Sequence, residues 1–235
     1  MYLYASHYLF YNNKSILSSN YLLGGFKLNI KTMSLGPLGT NCYIIYDDHN
    51  ALIVDPGGDA DQVKAFIEQN KLIPQAILLT HAHFDHIGAV DELRSHFNIH
   101  VYLHEQEKSW LSNPELNRSV FFTGNEISTN EPDCLWEQGE MTIASFTFDV
   151  IHTPGHSPGS VSLIFHDDQF VISGDALFNR GIGRTDLPGG SFAQLEKSLK
   201  EGLYELPDEF TVFPGHGPKT TIGDEKMLNP FVSAR

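Results

Sequence analysis

Apolar residues in this chain fall into short runs separated by polar breaks rich in Gly, Pro, Asn and Asp, the pattern of a mixed strand-and-helix domain. Residues 28–33 alternate and 41–46 continue the pattern, so two strands are expected around the turn Gly36-Pro37-Leu38-Gly39, with a third over 51–54 after a polar break at 47–50. Val63, Phe66 and Ile67 repeat at helical spacing and predict a helix over 60–69. A strand over 76–79, a helix after Gly88 and a short strand over 99–103 make a strand-helix-strand unit. Further strands are expected over 146–151, 170–173 and 210–213. A helix over 192–203 presents Phe192, Leu195, Leu199 and Leu203 on one side. Residues 113–136 lack any period and contain Phe121-Phe122. Such a segment reads equally as a binding loop and as a surface excursion whose aromatics pack on the core.

The chemistry sits where strands end. Thr80-His81-Ala82-His83-Phe84-Asp85-His86 follows the apolar run 76–79. Extended backbone puts His81 and His83 on one face, and Asp85 and His86 fall where the chain turns into a helix. Imidazole with carboxylate suits zinc first, and iron and manganese accept the same donors. The absence of thiolate excludes the closed structural-zinc pattern. Three more strand ends carry donors: His156 in Pro154-Gly155-His156-Ser157-Pro158, Asp175 after Gly174, and His216 in Pro214-Gly215-His216-Gly217-Pro218. The two Pro-Gly-His motifs echo one another and suggest two similar halves, each giving one imidazole. Asp55, after its own strand and before Gly57-Gly58, reads as a carboxylate that braces the ligand loop, or as a turn cap. His152 reads as structural, and His49, His96, His100, His104 and His166 lie outside any ligand spacing.

In these residues the sequence resembles the metallo-β-lactamase superfamily, whose pattern is a strand-end Asp, HxHxDH, His, Asp and His, over about residues 28–231. The turn Gly183-Arg184-Thr185-Asp186-Leu187-Pro188 and the segment 215–223 resemble the short bacterial glyoxalase II-like hydrolases within it. The resemblance implies an α/β (α+β) domain of four layers, an αββα sandwich, over 27–235. It also implies two divalent ions: His81, His83 and His156 would hold the first, Asp85, His86 and His216 the second, and Asp175 would bridge both. Two ions about 3.5 to 4 Å apart share a water and lower its pKa from about 15.7 towards 7, so hydroxide is the expected nucleophile, oriented by Asp85. A small acyl thioester such as S-D-lactoylglutathione is the expected substrate, because a thiol of pKa about 8.5 leaves readily. Arg184 matches the basic residue that holds the glutathione carboxylate in larger glyoxalase II enzymes, and Lys219 is a second candidate cation. Asp186 stands where those enzymes have an aromatic, and it can instead pair with Arg184. Their C-terminal helical domain has no counterpart in this sequence. The competing family activity is persulfide dioxygenase with a single iron on the first site; the Gly-flanked His216 favours the hydrolase.

Composition narrows the partners. The 235 residues suit one domain, and a net charge of −14 disfavours a nucleic-acid surface. Two divalent ions would add four positive charges and bring −14 to −10, all of the change at the mouth of the site. Two cysteines, Cys42 and Cys134, are too few for a disulfide framework and point to a reducing, cytoplasmic setting. No apolar run is long enough for a membrane span. Residues 1–26, rich in Tyr and unlike a signal peptide, form an N-terminal extension; an edge-covering strand, a partner-binding arm and an upstream start are all consistent with it. Nothing in the sequence specifies an oligomeric state.

Overall fold

A computed structural model describes residues 28–233, so the N-terminal extension lies outside the described residues. The first half builds a sheet from β1 (Asn29–Leu35), β2 (Thr40–Tyr46), β3 (Asn50–Val54), β4 (Ile73–Leu78), β5 (His100–Leu103) and β6 (Cys134–Leu135), in that spatial order. Its first three strands are antiparallel and the rest run parallel to β3. Helices α1 (Ala60–Gln69), α2 (Phe84–Ile87), α3 (Val90–Phe97) and α4 (Ser119–Thr123) belong to this half. The second half supplies β7 (Gly139–Ile143), β8 (Phe146–His152), β9 (Val161–Phe165), β10 (Phe170–Gly174), a small ribbon of β11 (Leu177–Phe178) and β12 (Gly181–Ile182), then α5 (Phe192–Glu201), β13 (Thr211–Pro214), β14 (Thr220–Thr221) and α6 (Ile222–Leu228). The second sheet has the order β14-β13-β10-β9-β8-β7.

Three apolar clusters make this a four-layer αββα sandwich. Cys42, Ile44, Ile53 and Ile77 on one face of the first sheet pack with Val63 and Ile67 of α1 and Val90 and Leu93 of α3. Tyr43, Ile45, Leu52 and Leu78 on its other face meet Phe148, Leu163, Phe165 and Phe170 of the second sheet. Val171, Val212 and Ile164 on the outer face of that sheet pack with Leu195 and Leu199 of α5 and Ile222 of α6. Successive residues of β2 therefore bury on opposite sides, which is why that strand reads as one apolar run rather than an alternation. Aromatic rings fill the inter-sheet layer. Phe148 meets Phe165 at 5.1 Å, Phe165 meets Phe170 at 4.5 Å, and Phe170 reaches Tyr43 through Phe213 at 5.6 and 5.5 Å.

Several departures from the sequence pattern have physical reasons. Strand β4 starts at Ile73, ahead of its apolar run, because the register shift between Ala51 and Leu52 lets Pro74 sit in a parallel pair. Strand β9, buried along its length, and β7 carry no ligand at their ends, and neither was expected. The helix expected over 192–203 ends at Glu201, and Leu203–Glu205 form a separate 3₁₀ turn after Gly202. The two Pro-Gly-His motifs do not come one from each half: both follow strands of the second sheet, β8 and β13. Their likeness reflects the shared need for a stiff turn at one rim.

Phe165 is 1% exposed at the centre of the aromatic layer. Replacing it by Ala is expected to lower unfolding stability by about 3–5 kcal/mol, measured by urea denaturation at fixed metal loading.

Candidate metal centre

All seven sequence-predicted donors meet at one rim of the sandwich. His81, His83, Asp85 and His86 leave β4 and enter α2; His156 follows β8, Asp175 follows β10, and His216 follows β13. One donor atom from each of His81, His83 and His156 lies within 4.8 Å of the others, and so do those of Asp85, His86 and His216 and those of His81, His86 and Asp175. Asp175 lies between the groups. Its Oδ1 is 3.5 Å from His86 Nε2, while its Oδ2 is 3.5 Å from His156 Nε2 and 3.6 Å from His216 Nε2. His83 Nδ1 is 2.9 Å from His156 Nε2, and His216 Nε2 is 3.1 Å from Asp85 Oδ2. Close approach at the floor requires Gly215, because a Cβ there would stand 2.0 Å from Asp175 Oδ1.

A layer of polar groups fixes how these donors point. Asp55, held at a φ of 48°, accepts hydrogen bonds from Thr80 N (2.8 Å) and Thr80 Oγ1 (2.7 Å). Its Oδ2 lies 3.0 Å from His86 Nδ1, an ionic contact rather than an aligned hydrogen bond. Since the Thr80 hydroxyl donates to Asp55, it accepts from His81 Nδ1 at 3.1 Å, which leaves His81 Nε2 as the lone-pair nitrogen. The Arg184 carbonyl does the same for His156, accepting from Nδ1 at 2.9 Å and freeing Nε2. Thr40 Oγ1 donates to Asp85 Oδ2 at 2.7 Å.

Glu107 was not singled out in the sequence, where it is one acid among many. It lies on a 3₁₀ turn, Glu105–Trp110, and is fully buried. Its carboxylate accepts from Ala82 N (2.6 Å), Gly159 N (2.7 Å) and Ser157 Oγ, tying the His81–His83 loop to the His156 loop. Only tertiary contact reveals that role.

The donors suit a bound cation. Nε2 of His81, Nε2 of His86 and Oδ1 of Asp175 are buried without a hydrogen-bond partner, a cost that a metal would remove. Nitrogens about 2.0–2.1 Å from a zinc ion stand about 3.4 Å apart at tetrahedral angles, and donor pairs such as His83–His156 at 2.9 Å and His86–Asp85 at 3.6 Å bracket that spacing within groups spanning up to 4.8 Å. Burial pushes the imidazolium pKa of His81 and His156 down and that of His83 down to about 3, so these three are neutral and ready to ligate. Burial also opposes charge on His86, but the carboxylates Asp85, Asp175 and Asp55 outweigh it and raise its pKa. Against the same burial, the neighbouring imidazoles hold Asp85 and Asp175 below the usual carboxylate range.

Above the donors opens a cavity of about 330 Å³, with Leu38, Phe122, Phe178 and Leu187 among its apolar walls and Arg118 and Arg184 as its cations. Phe122 thus brings the irregular 113–136 segment to the site, stacking on Phe84 at 5.8 Å. Arg184 forms a two-pronged pair with Asp186 at 2.8 and 2.7 Å and lies 5.6 Å from the Phe122 ring. Lys219 departs from expectation. It borders a different groove with Leu28 and Thr211, and its Nζ sits 6.0 Å from the Phe213 ring, because the chain turns at Gly217 towards the edge strand β14. The other histidines among the described residues stay clear of the cluster: His152 Nε2 contacts the Pro158 carbonyl at 2.8 Å and its ring stacks on His104, while His96 faces Glu68 and His166 faces Asp149.

Residues 35–216 match the family model described as "Metallo-beta-lactamase superfamily". The chain belongs to that superfamily. It is 47% identical over 204 residues to a probable metallo-hydrolase, YqgX, of Bacillus subtilis, covering 86% of this chain and 97% of that one. It is 36% identical over 211 residues to the hydroxyacylglutathione hydrolase GloC of Haemophilus influenzae, covering 88% and 100%. Among solved structures, BLEG-1 B3 metallo-β-lactamase superposes with a TM-score of 0.85 at 49% identity, covering 87% of this chain and 99% of that one. TTHA1623 in a di-iron-bound form gives 0.77 at 38%, covering 86% and 100%. The chain is accordingly a metal-dependent hydrolase of the metallo-β-lactamase fold.

Glu107→Ala would strip partners from two buried N–H groups and a hydroxyl, each worth about 1–3 kcal/mol if left unmet. Metal affinity is expected to fall about 10–100-fold, measured by chelator competition. Unchanged affinity would show that the two loops hold their positions without it.

Proposed function

We propose that this hydrolase cleaves a small acyl thioester with two divalent ions, the first at His81, His83 and His156 and the second at Asp85, His86 and His216, with Asp175 shared between them. The observation that carries this reading is the position of Asp175, whose two oxygens face imidazoles of both groups at 3.5 to 3.6 Å. When bound, the ions would supply Lewis acidity for a carbonyl and lower the pKa of a shared water from about 15.7 towards 7.

The chain's own residues do the rest. Asp85, held by Thr40, presents a fixed carboxylate beside His216 that orients an attacking water. Phe122, Leu187 and Leu38 line the mouth beside the reacting carbonyl. A thiol of pKa about 8.5 departs without a dedicated proton donor, and the cavity shows none. Similarity to GloC supports a hydroxyacyl thioester, and 330 Å³ suits a compact substrate. Zinc is the first candidate metal on donor chemistry, with iron its main competitor given the di-iron form of TTHA1623. Cys42 and Cys134 are both free thiols, in keeping with a cytoplasmic setting, and among the described residues no helix is long and apolar enough to cross a membrane.

Purified protein is expected to carry close to two divalent ions by elemental analysis and to hydrolyse S-D-lactoylglutathione. Asp175→Ala should lower kcat/KM by more than the roughly 10–100-fold that outer-shell changes cost, and His216→Ala should remove one ion and leave the other. One iron per chain with oxygen uptake on glutathione persulfide would overturn this reading in favour of a dioxygenase.

A further inference from the structure

Arg118 lines the metal cavity, and no sequence motif marks it. Its backbone is held at φ 72°, a left-handed conformation that non-glycine residues rarely adopt. The loop around it is tied down on both sides: the neighbouring Asn117 is fully buried, its carbonyl accepts from Phe84 N at 2.9 Å, and its Nδ2 donates to the Ile127 carbonyl at 2.7 Å. Phe84 lies between the donors His83 and Asp85, so the position of Arg118 is fixed against the ligand loop itself.

Among the described residues, the side chain so placed makes no hydrogen bond or ion pair. Its Nε is buried without a hydrogen bond, and among the described residues no carboxylate pairs with its guanidinium. The other cation of the cavity, Arg184, is already neutralised by Asp186. The remaining carboxylates of the cavity, Asp85 and Asp175, face imidazoles. In a chain of net charge −14, an unpaired guanidinium beside apolar walls and a cation-binding floor is a receptor for one anionic group. A carboxylate, with its two oxygens in one plane, matches the fork of a guanidinium through two parallel N–H···O bonds.

We propose that Arg118 binds a carboxylate carried by the substrate, so that the enzyme selects monoanionic acyl thioesters over neutral ones; this rests on the thioester reading above. The test compares S-lactoyl-N-acetylcysteine with S-lactoyl-N-acetylcysteamine, which differ only in that carboxylate. Arg118→Gln is expected to lower kcat/KM for the charged substrate about 10–100-fold, chiefly through KM, and to leave the neutral one within about twofold, in line with the loss of one charge-assisted contact. Arg118→Lys should restore part of the preference. Equal loss on both substrates, or no loss on either, would overturn the proposal.

A second arm does not depend on hydrolysis. Calorimetry of the metal-loaded protein with S-propyl-N-acetylcysteine and with its methyl ester should show the acid binding at least about tenfold tighter, with that preference lost in Arg118→Gln. If the wild type cleaves no thioester, the functional reading falls while this arm still decides the role of Arg118. Equal affinity for acid and ester, or binding of neither, counts against it.

Discussion

Burying four imidazoles and two carboxylates against one another is the constraint on which the rest of this structure depends. Left to themselves, all six lose hydration, and His81, His83, His86 and Asp175 keep buried polar atoms with no hydrogen-bond partner in return. The sandwich holds them there because each lies at or just beyond the end of a strand whose other residues are locked into the inter-sheet and sheet-helix layers. The apolar interior makes the rim rigid, and the rigid rim keeps donors from four separate chain segments within a few ångströms. A bound cation then turns an electrostatic cost into a stabilising contact.

Orientation is a second layer of the same design. Thr80, Asp55, the Arg184 carbonyl and Glu107 contribute no donor atom to the clusters, yet they fix ring tautomers and hold loops in register. Asp55 does so from a positive-φ turn, the kind of local strain that persists where surrounding contacts over-determine it. Gly215 belongs to this layer by absence of a side chain, since any Cβ would displace Asp175. Glu107 is notable for joining the loop after β4 of the first sheet to the loop after β8 of the second. The metal site therefore also stitches the two sheets.

The cavity above the donors brings cationic side chains into a molecule that is acidic as a whole. In a chain of net charge −14, the cavity carries two guanidiniums, one of them paired with Asp186. Such an arrangement lets local charge rather than net charge decide which substrates stay. The loop that carries Arg118 and Phe122 also packs on Phe84, so one wall of the cavity and the candidate ligand loop form one mechanical unit.

The chain alone marked the candidate donors and their placement at strand ends. His81, His83, Asp85, His86, His156, Asp175 and His216 are legible because metal ligation demands particular side chains, and strand ends announce themselves through apolar runs that stop at Gly, Pro or Asp. Strands such as β3 and β10 were legible for the same reason, while β9 and β7 were not, having no chemistry at their ends to draw attention. Tertiary structure decided what no local pattern encodes: that both Pro-Gly-His turns belong to one sheet, that Lys219 turns away from the cavity, that Arg184 pairs with Asp186, that Glu107 ties two loops together, and that Arg118 lines the cavity. Those outcomes depend on distances between residues far apart in the chain, and an isolated Glu or Arg has the same appearance in sequence whether it faces water, a partner or an empty space beside a metal site.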